Sequence, residues 1–186
     1  VTSSTPAEVT KSTPSAAPEV TKEPTKAPEA ANTVTPTPKS VKKNDVIVVK
    51  GVSYKVTGTS KKNATVSYQK PASKKAKSIV VPATIKYMGV TYKVTAVSAK
   101  ACSGMSKLTK VTIGSNVKTI GKEAFKNCKK LKTLTIKSSK LNSVGKNAIK
   151  GINKKAVIKC PSKKVSAYKK LFKKSTGYVK TIKIKK

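Results

Sequence analysis

The sequence has no arginine, no histidine and no tryptophan, and past residue 40 it has only two carboxylates, Asp45 and Glu123. Without histidine there is no imidazole for proton transfer near neutral pH, and none to ligate a metal. The two carboxylates lie 78 positions apart, one at a loop start and one at a predicted helix start, which is poor material for a paired-carboxylate mechanism. Neither GxxxxGK[ST] nor GxGxxG occurs, so no phosphate-cradling loop is visible. The three cysteines, Cys102, Cys128 and Cys160, are odd in number and cannot all pair, and their spacing is not that of a zinc site. No run of about 18 apolar residues exists to span a bilayer as a helix. These absences point away from an enzyme, a cofactor and a metal site. The chain opens at Val1 with neither Met nor a leader, as expected of a mature or excised fragment.

What is abundant is lysine: all 42 basic residues are Lys. Residues 1–40 hold four Lys and four Glu and cancel, so the whole net charge of +36 lies on 41–186. That part repels itself and attracts polyanions, an attraction that salt screens. Residues 1–43 also hold most of the ten prolines, in phrases such as STPAEVTKSTPSAAPEVTKEPTKAPEA with no aromatic residue. They read as a disordered Thr/Pro-rich linker, because such a composition buries too little apolar surface to offset chain entropy.

From residue 44 the texture becomes alternating: DVIVVKGVSYKVTGTS, NATVSYQKP and KSIVVPATI are short strands bounded by Gly, Pro and Asn. GVSYKVT at 51–57 returns as GVTYKVT at 89–95, so 44–93 reads as paired β-hairpins in which Tyr54 and Tyr92 pack. Beyond it, three segments align with a period of 23 or 24 residues: 94–116, 117–140 and 141–163. Apolar positions coincide down the stack: Val97, Ile120 and Val144; Ala101, Ala124 and Ala148; Cys102, Phe125 and Ile149; Met105, Cys128 and Ile152; Ile113, Ile136 and Ile158. The period and the spacing Leu108-x-x-Val111-x-Ile113-x-x-Asn116 are those of a leucine-rich repeat, whose units share one core by stacking. Within a unit the reading is a turn, a short helical piece over 122–128 and a strand over 133–136. The third unit is degenerate, with Lys155 where Leu108 and Leu131 stand. Residues 162–174 then space Val165, Tyr168, Leu171 and Phe172 as a capping helix, and 178–184 alternate as a last strand. The expected fold is mostly β with short helical segments: a small solenoid over 94–163, with a β-rich N-terminal cap (44–93) and a helix–strand C-terminal cap (164–186).

The phrase IGKEAFKNCKKLKTLTI (120–136) resembles the BspA-like leucine-rich repeat, whose unit reads roughly IGxxAFxxCxxLxxVxI. SIVVPATIKYMGVTYKVTAVSAKAC resembles the lead-in to such arrays in surface proteins of anaerobic Gram-positive bacteria. The likeness covers about 79–186 and is most specific in the second unit. The first unit departs from it at Cys102 and Met105, and the third at Ile149 and Ile152. The resemblance implies exported or surface-displayed binding modules that are not enzymes, and names no single ligand.

If a ligand sits on the strand face, the residues flanking the inward apolar positions are Lys110, Thr112, Thr135, Lys137, Val157 and Lys159. The partner expected there is an anionic cell-wall polymer or acidic glycan, or a host protein, with non-specific nucleic-acid binding in vitro. Lysine lacks the fork that reads guanine, and Phe125 and Phe172 read as core, so no base-stacking platform is visible. An anionic membrane surface ranks below these. A structural spacer that displays other domains is the alternative. A thiol-dependent activity is a second one, because Lys126, Lys129 and Lys130 around Cys128 can favour a thiolate, although its alignment with Met105 and Ile152 places it in the core.

Overall fold

Two left-handed residues in a row let a strand reverse with the twist of a sheet. Lys50 and Gly51 have φ of 50° and 74°, and Met88 and Gly89 have 47° and 74°. The repeated phrase is therefore the same two-residue hairpin used twice. Strand β1 (Val46–Val49) turns into β2 (Val52–Gly58), and β5 (Thr84–Tyr87) into β6 (Val90–Val97), both antiparallel. The structure is a computed structural model that describes residues 40–60 and 62–186. The linker reading of 1–43 thus falls almost wholly outside the described residues. Strand β3 (Thr65–Lys70) joins β2 antiparallel and β6 parallel, and the Tyr54 and Tyr68 rings meet edge to face at 5.8 Å. Between the hairpins, KSIVVPATI divides at Pro82. β4 (Ser78–Val81) leaves the hairpin region and becomes the edge of a second sheet.

The repeats supply one strand to each sheet per turn of the chain. β7 (Lys110–Ile113), β9 (Thr133–Ile136), β11 (Val157–Lys159) and β12 (Lys183–Lys185) line up with β4 in a five-stranded sheet, every pairing parallel. The two-residue strands β8 (Thr119–Ile120) and β10 (Ser143–Val144) extend the hairpin sheet beyond β6, so that Val97, Ile120 and Val144 stand in one row. A single buried cluster runs between the sheets from Ile47 to Ile182. The architecture is the expected one, mostly strand with one short helix and capped at both ends.

Three local expectations are corrected. The 122–128 piece is not helical. Lys100, Glu123 and Asn147 take φ of 55–57°, and four residues on Gly104, Asn127 and Gly151 take 61–74°. A left-handed residue every fourth position prevents the i to i+4 ladder of a helix. Instead, alternate N–H groups point to the next turn: Lys100, Cys102 and Gly104 donate to the carbonyls of Lys122, Ala124 and Lys126, and Glu123, Phe125 and Asn127 to those of Lys146, Ala148 and Lys150. Glu123 is therefore not at a helix start. Second, the cap helix is shorter than 162–174: a 3₁₀ turn (Ser162–Lys164) leads into α1 (Val165–Leu171), and Tyr168 anchors it by donating its hydroxyl to the Ser138 carbonyl at 2.6 Å. Third, the last strand is only Lys183–Lys185. The chain before it forms a 3₁₀ turn (Lys174–Thr176) whose Ser175 and Thr176 carbonyls accept from Asn147 and Ile149, so the cap adds a fourth rung to the turn ladder.

Glycine is required where successive turns touch. A Cβ on Gly121 would sit 2.6 Å from the Ala99 nitrogen, and one on Gly145 2.5 Å from the Lys122 nitrogen. This is the structural meaning of the Ile-Gly and Val-Gly pairs in the second and third units.

Candidate functional site

In the five-stranded sheet the inward positions are apolar and buried, and the outward ones form two rows across the strands. One row runs Ser78, Lys110, Thr133, Val157, Lys183; the other runs Val80, Thr112, Thr135, Lys159, Lys185. The lysines are exposed and the threonines half-buried. At about 4.8 Å per strand, three threonine hydroxyls fill the middle of a flat platform. Lys110 stands on one side of them, and Lys159, Lys183 and Lys185 on the other. No carboxylate belongs to either row.

Of the residues expected on this face, Lys110, Thr112, Thr135, Val157 and Lys159 lie in the rows. Lys137 does not: it follows β9, and its N–H donates to the Ile113 carbonyl. The expected stacking of Ile113, Ile136 and Ile158 is also shifted, because Ile158 pairs with Leu134 and only Ile113 pairs with Ile136. Three consecutive apolar residues, Ala156-Val157-Ile158, are compatible with either phase of a strand, and a two-residue error leaves the faces unchanged but moves every neighbour. The constant 24-residue step that takes Ile120 to Val144 also takes Leu134 to Ile158, and was the available signal. Thr133 also lies in the rows, preceding Leu134 as Lys110 precedes Val111, and Lys183 and Lys185 enter them from the cap strand β12, outside the three repeats.

The lysines have few partners. The one ion pair among the described residues is Lys126 to Glu123 at 3.3 Å. That hydrogen bond, together with the charges of Lys126, Lys100 and Lys122, holds the Glu123 carboxyl below the usual range. A surface pair of this kind adds little stability. Asp45 instead accepts the backbone N–H of Lys42 at 2.8 Å.

The thiolate reading of Cys128 is overturned. Its side chain is fully buried and donates to the Cys102 carbonyl at 3.0 Å. Burial pushes the Cys128 thiol up to about 11 and the Cys102 thiol to about 12, and raises that of Cys160. A nucleophilic cysteine needs the opposite shift and solvent access. Among the described residues no group of three or more potential metal ligands comes together, and no helix is long and apolar enough to cross a membrane.

Residues 95–186 match the model of the BspA type leucine rich repeat region, in six copies. A leucine rich cell surface protein from Faecalibacterium prausnitzii superposes with a TM-score of 0.51 at 21% identity, over 66% of this chain and 34% of that one. A leucine-rich repeat protein from Bacteroides ovatus gives 0.44 at 24%, over 62% of this chain and 35% of that one. The pneumococcal vaccine antigen PcpA gives 0.44 at 19%, over 64% of this chain and 42% of that one. The chain thus spans well under half the length of these structures, and the first likeness establishes the fold alone. No curated protein matches the sequence.

Proposed function

Residues 95–186 belong to the BspA-type leucine-rich repeat family, and from that premise we propose that the chain is a non-enzymatic binding module, secreted or displayed on a cell surface. Its ligand is an anionic polymer, either a phosphate-bearing wall polymer or an acidic glycan, met on the outward face of the five-stranded sheet. The observation behind this reading is the pair of outward rows, with four exposed lysines around three threonines and no carboxylate. An extended polyanion lying across the strands meets ammonium groups at both ends and hydroxyls between them. The surrounding field is positive as well, since 41–186 carry 38 Lys against Asp45 and Glu123. Surface location rests on the repeat family and on the cell-surface description of the F. prausnitzii protein.

The test is binding of the full chain to teichoic acid, heparin, purified cell wall and DNA across a salt series. Charge alone predicts that all four release together near about 0.3 M salt, where the Debye length has shrunk to about 5–6 Å, close to a single strand spacing. The proposed face predicts one polymer retained above that point. Common release of all four would contradict it and leave the repeats as a spacer that displays other domains.

A further inference from the structure

On the other sheet the molecule has a cleft of about 300 Å³ whose lining residues all carry a polar or charged group. Its sides combine Thr65 of β3 and Thr95 of β6 with Asn116 and Lys118, on the loop after β7, and Lys140, on the loop after β9. Lys93 and Asn63 complete one end, the lysine donating to the asparagine Oδ1 at 3.2 Å. Residues from 63 to 140 are thus brought together by stacking, and none of them shares a row with the threonine platform.

The cleft is braced from within. Ser138 is fully buried, donates to the Val117 carbonyl at 2.6 Å and accepts the Lys140 N–H at 3.0 Å, which ties the two lysine-bearing loops together. The Lys118 N–H donates to the Thr95 carbonyl at 2.7 Å, and Asn116 Nδ2 donates to the Ala83 carbonyl at 3.1 Å. The backbone at Lys118 and Lys140 is therefore held, and the three lysines line one concavity with no carboxylate among its residues.

We propose that this cleft is a binding site for a tetrahedral oxyanion ester, a sugar phosphate or a sulfated sugar. Three lysines and two hydroxyls offer donors to one tetrahedral anion, close to doubly charged in a phosphate monoester and singly charged in a sulfate ester, and lysine serves such groups as a point-charge binder. The volume is at the lower end for small-molecule sites, so the cleft takes one charged sugar-sized unit and not a length of polymer. A ligand without charge would leave the ammonium groups unmatched. This inference shares the anionic-ligand premise of the proposed function but uses different residues, so each fails by its own variants.

The experiment is an amide NMR titration of the full chain at constant ionic strength with inorganic phosphate, glycerol 1-phosphate, glucose 6-sulfate and glucuronate. Saturable shifts are expected at Thr95, Asn116 and Lys118 with the phosphate or sulfate compounds, and the tighter of the two esters identifies the source. Lys118→Gln with Lys140→Gln should weaken that binding about tenfold or more, the loss of charge-assisted hydrogen bonds, whereas Lys110→Gln with Lys159→Gln should leave it unchanged. Lys118 and Lys140 are both exposed, and the single Lys140→Gln repeats the test if the double variant loses its fold. Linear shifts spread over the lysine-bearing surface, equal loss from the two double variants, or tighter saturable binding of glucuronate would overturn the proposal.

Discussion

In the five-stranded sheet every pairing is parallel and every strand comes from a different turn of the chain. The seven-stranded sheet instead starts with three antiparallel pairings, β1–β2, β2–β3 and β5–β6. Antiparallel neighbours close short loops and can form locally, while a parallel rung needs a template already in place. The buried side chains follow the same division. Tyr54, Tyr68 and Tyr92 fill the hairpin part, and the parallel rows are aliphatic. β6 joins the two regimes, since its first half pairs antiparallel with β5, while its second half pairs parallel with β3 and, at Ala96-Val97, with β8. The difference teaches how so charged an array can end: the hairpins cover the first rung, and α1 with its flanking 3₁₀ turns covers the last.

The largest effect should come from removing core shared by neighbouring turns. Phe125→Ala empties a fully buried position in the central unit and should cost about 3–5 kcal/mol. Tyr68→Ala should cost a similar amount on the hairpin side, and both should lower one common urea midpoint. Two separate transitions would break the account in which β6 unites the regions.

Gly121→Ala should cost about 1–3 kcal/mol, because the new methyl meets backbone of the previous turn that cannot move aside. Gly89→Ala has open space and strains only its left-handed φ, so it should cost less by thermal melt. The reverse order would mean that the turns are not in close register. At the other cap, Tyr168→Phe strips the buried Ser138 carbonyl of its donor, and about 1–2 kcal/mol should go. An unchanged melting temperature would show that α1 does not brace the last rungs.

The smallest effect concerns charge. Lys159 and Lys185 are cross-strand neighbours, and like charges so placed repel. Lys185→Glu should stabilise by about 0.2–1 kcal/mol at low salt and by less as salt rises. Destabilisation by this change would mean that the two side chains do not share a face.

Much of this was legible because period survives in the sequence. The 23–24-residue step, the Val97-Ile120-Val144 row and the doubled hairpin phrase all follow from apolar spacing and left-handed turn positions. The turn ladder was not legible: Lys122 to Cys128 has good helix formers, and only stacking against the next turn rewards the left-handed Glu123 and Asn127. The phase of β11 was hidden by its three adjacent apolar residues. The cleft was invisible, since Asn63 and Lys140 line one concavity only after the first two units have stacked on the hairpin region.

The central claim is that the platform face, and not net charge, holds the polymer. The most direct measurement compares two double variants of equal charge against the retained polymer at fixed salt. One is Lys110→Glu with Lys159→Glu on the platform; the other is Lys122→Glu with Lys146→Glu, both exposed on the turn ladder. The account predicts that the platform variant loses most of its affinity and the turn variant little. Equal losses would contradict it and reduce the binding to a uniform cationic surface.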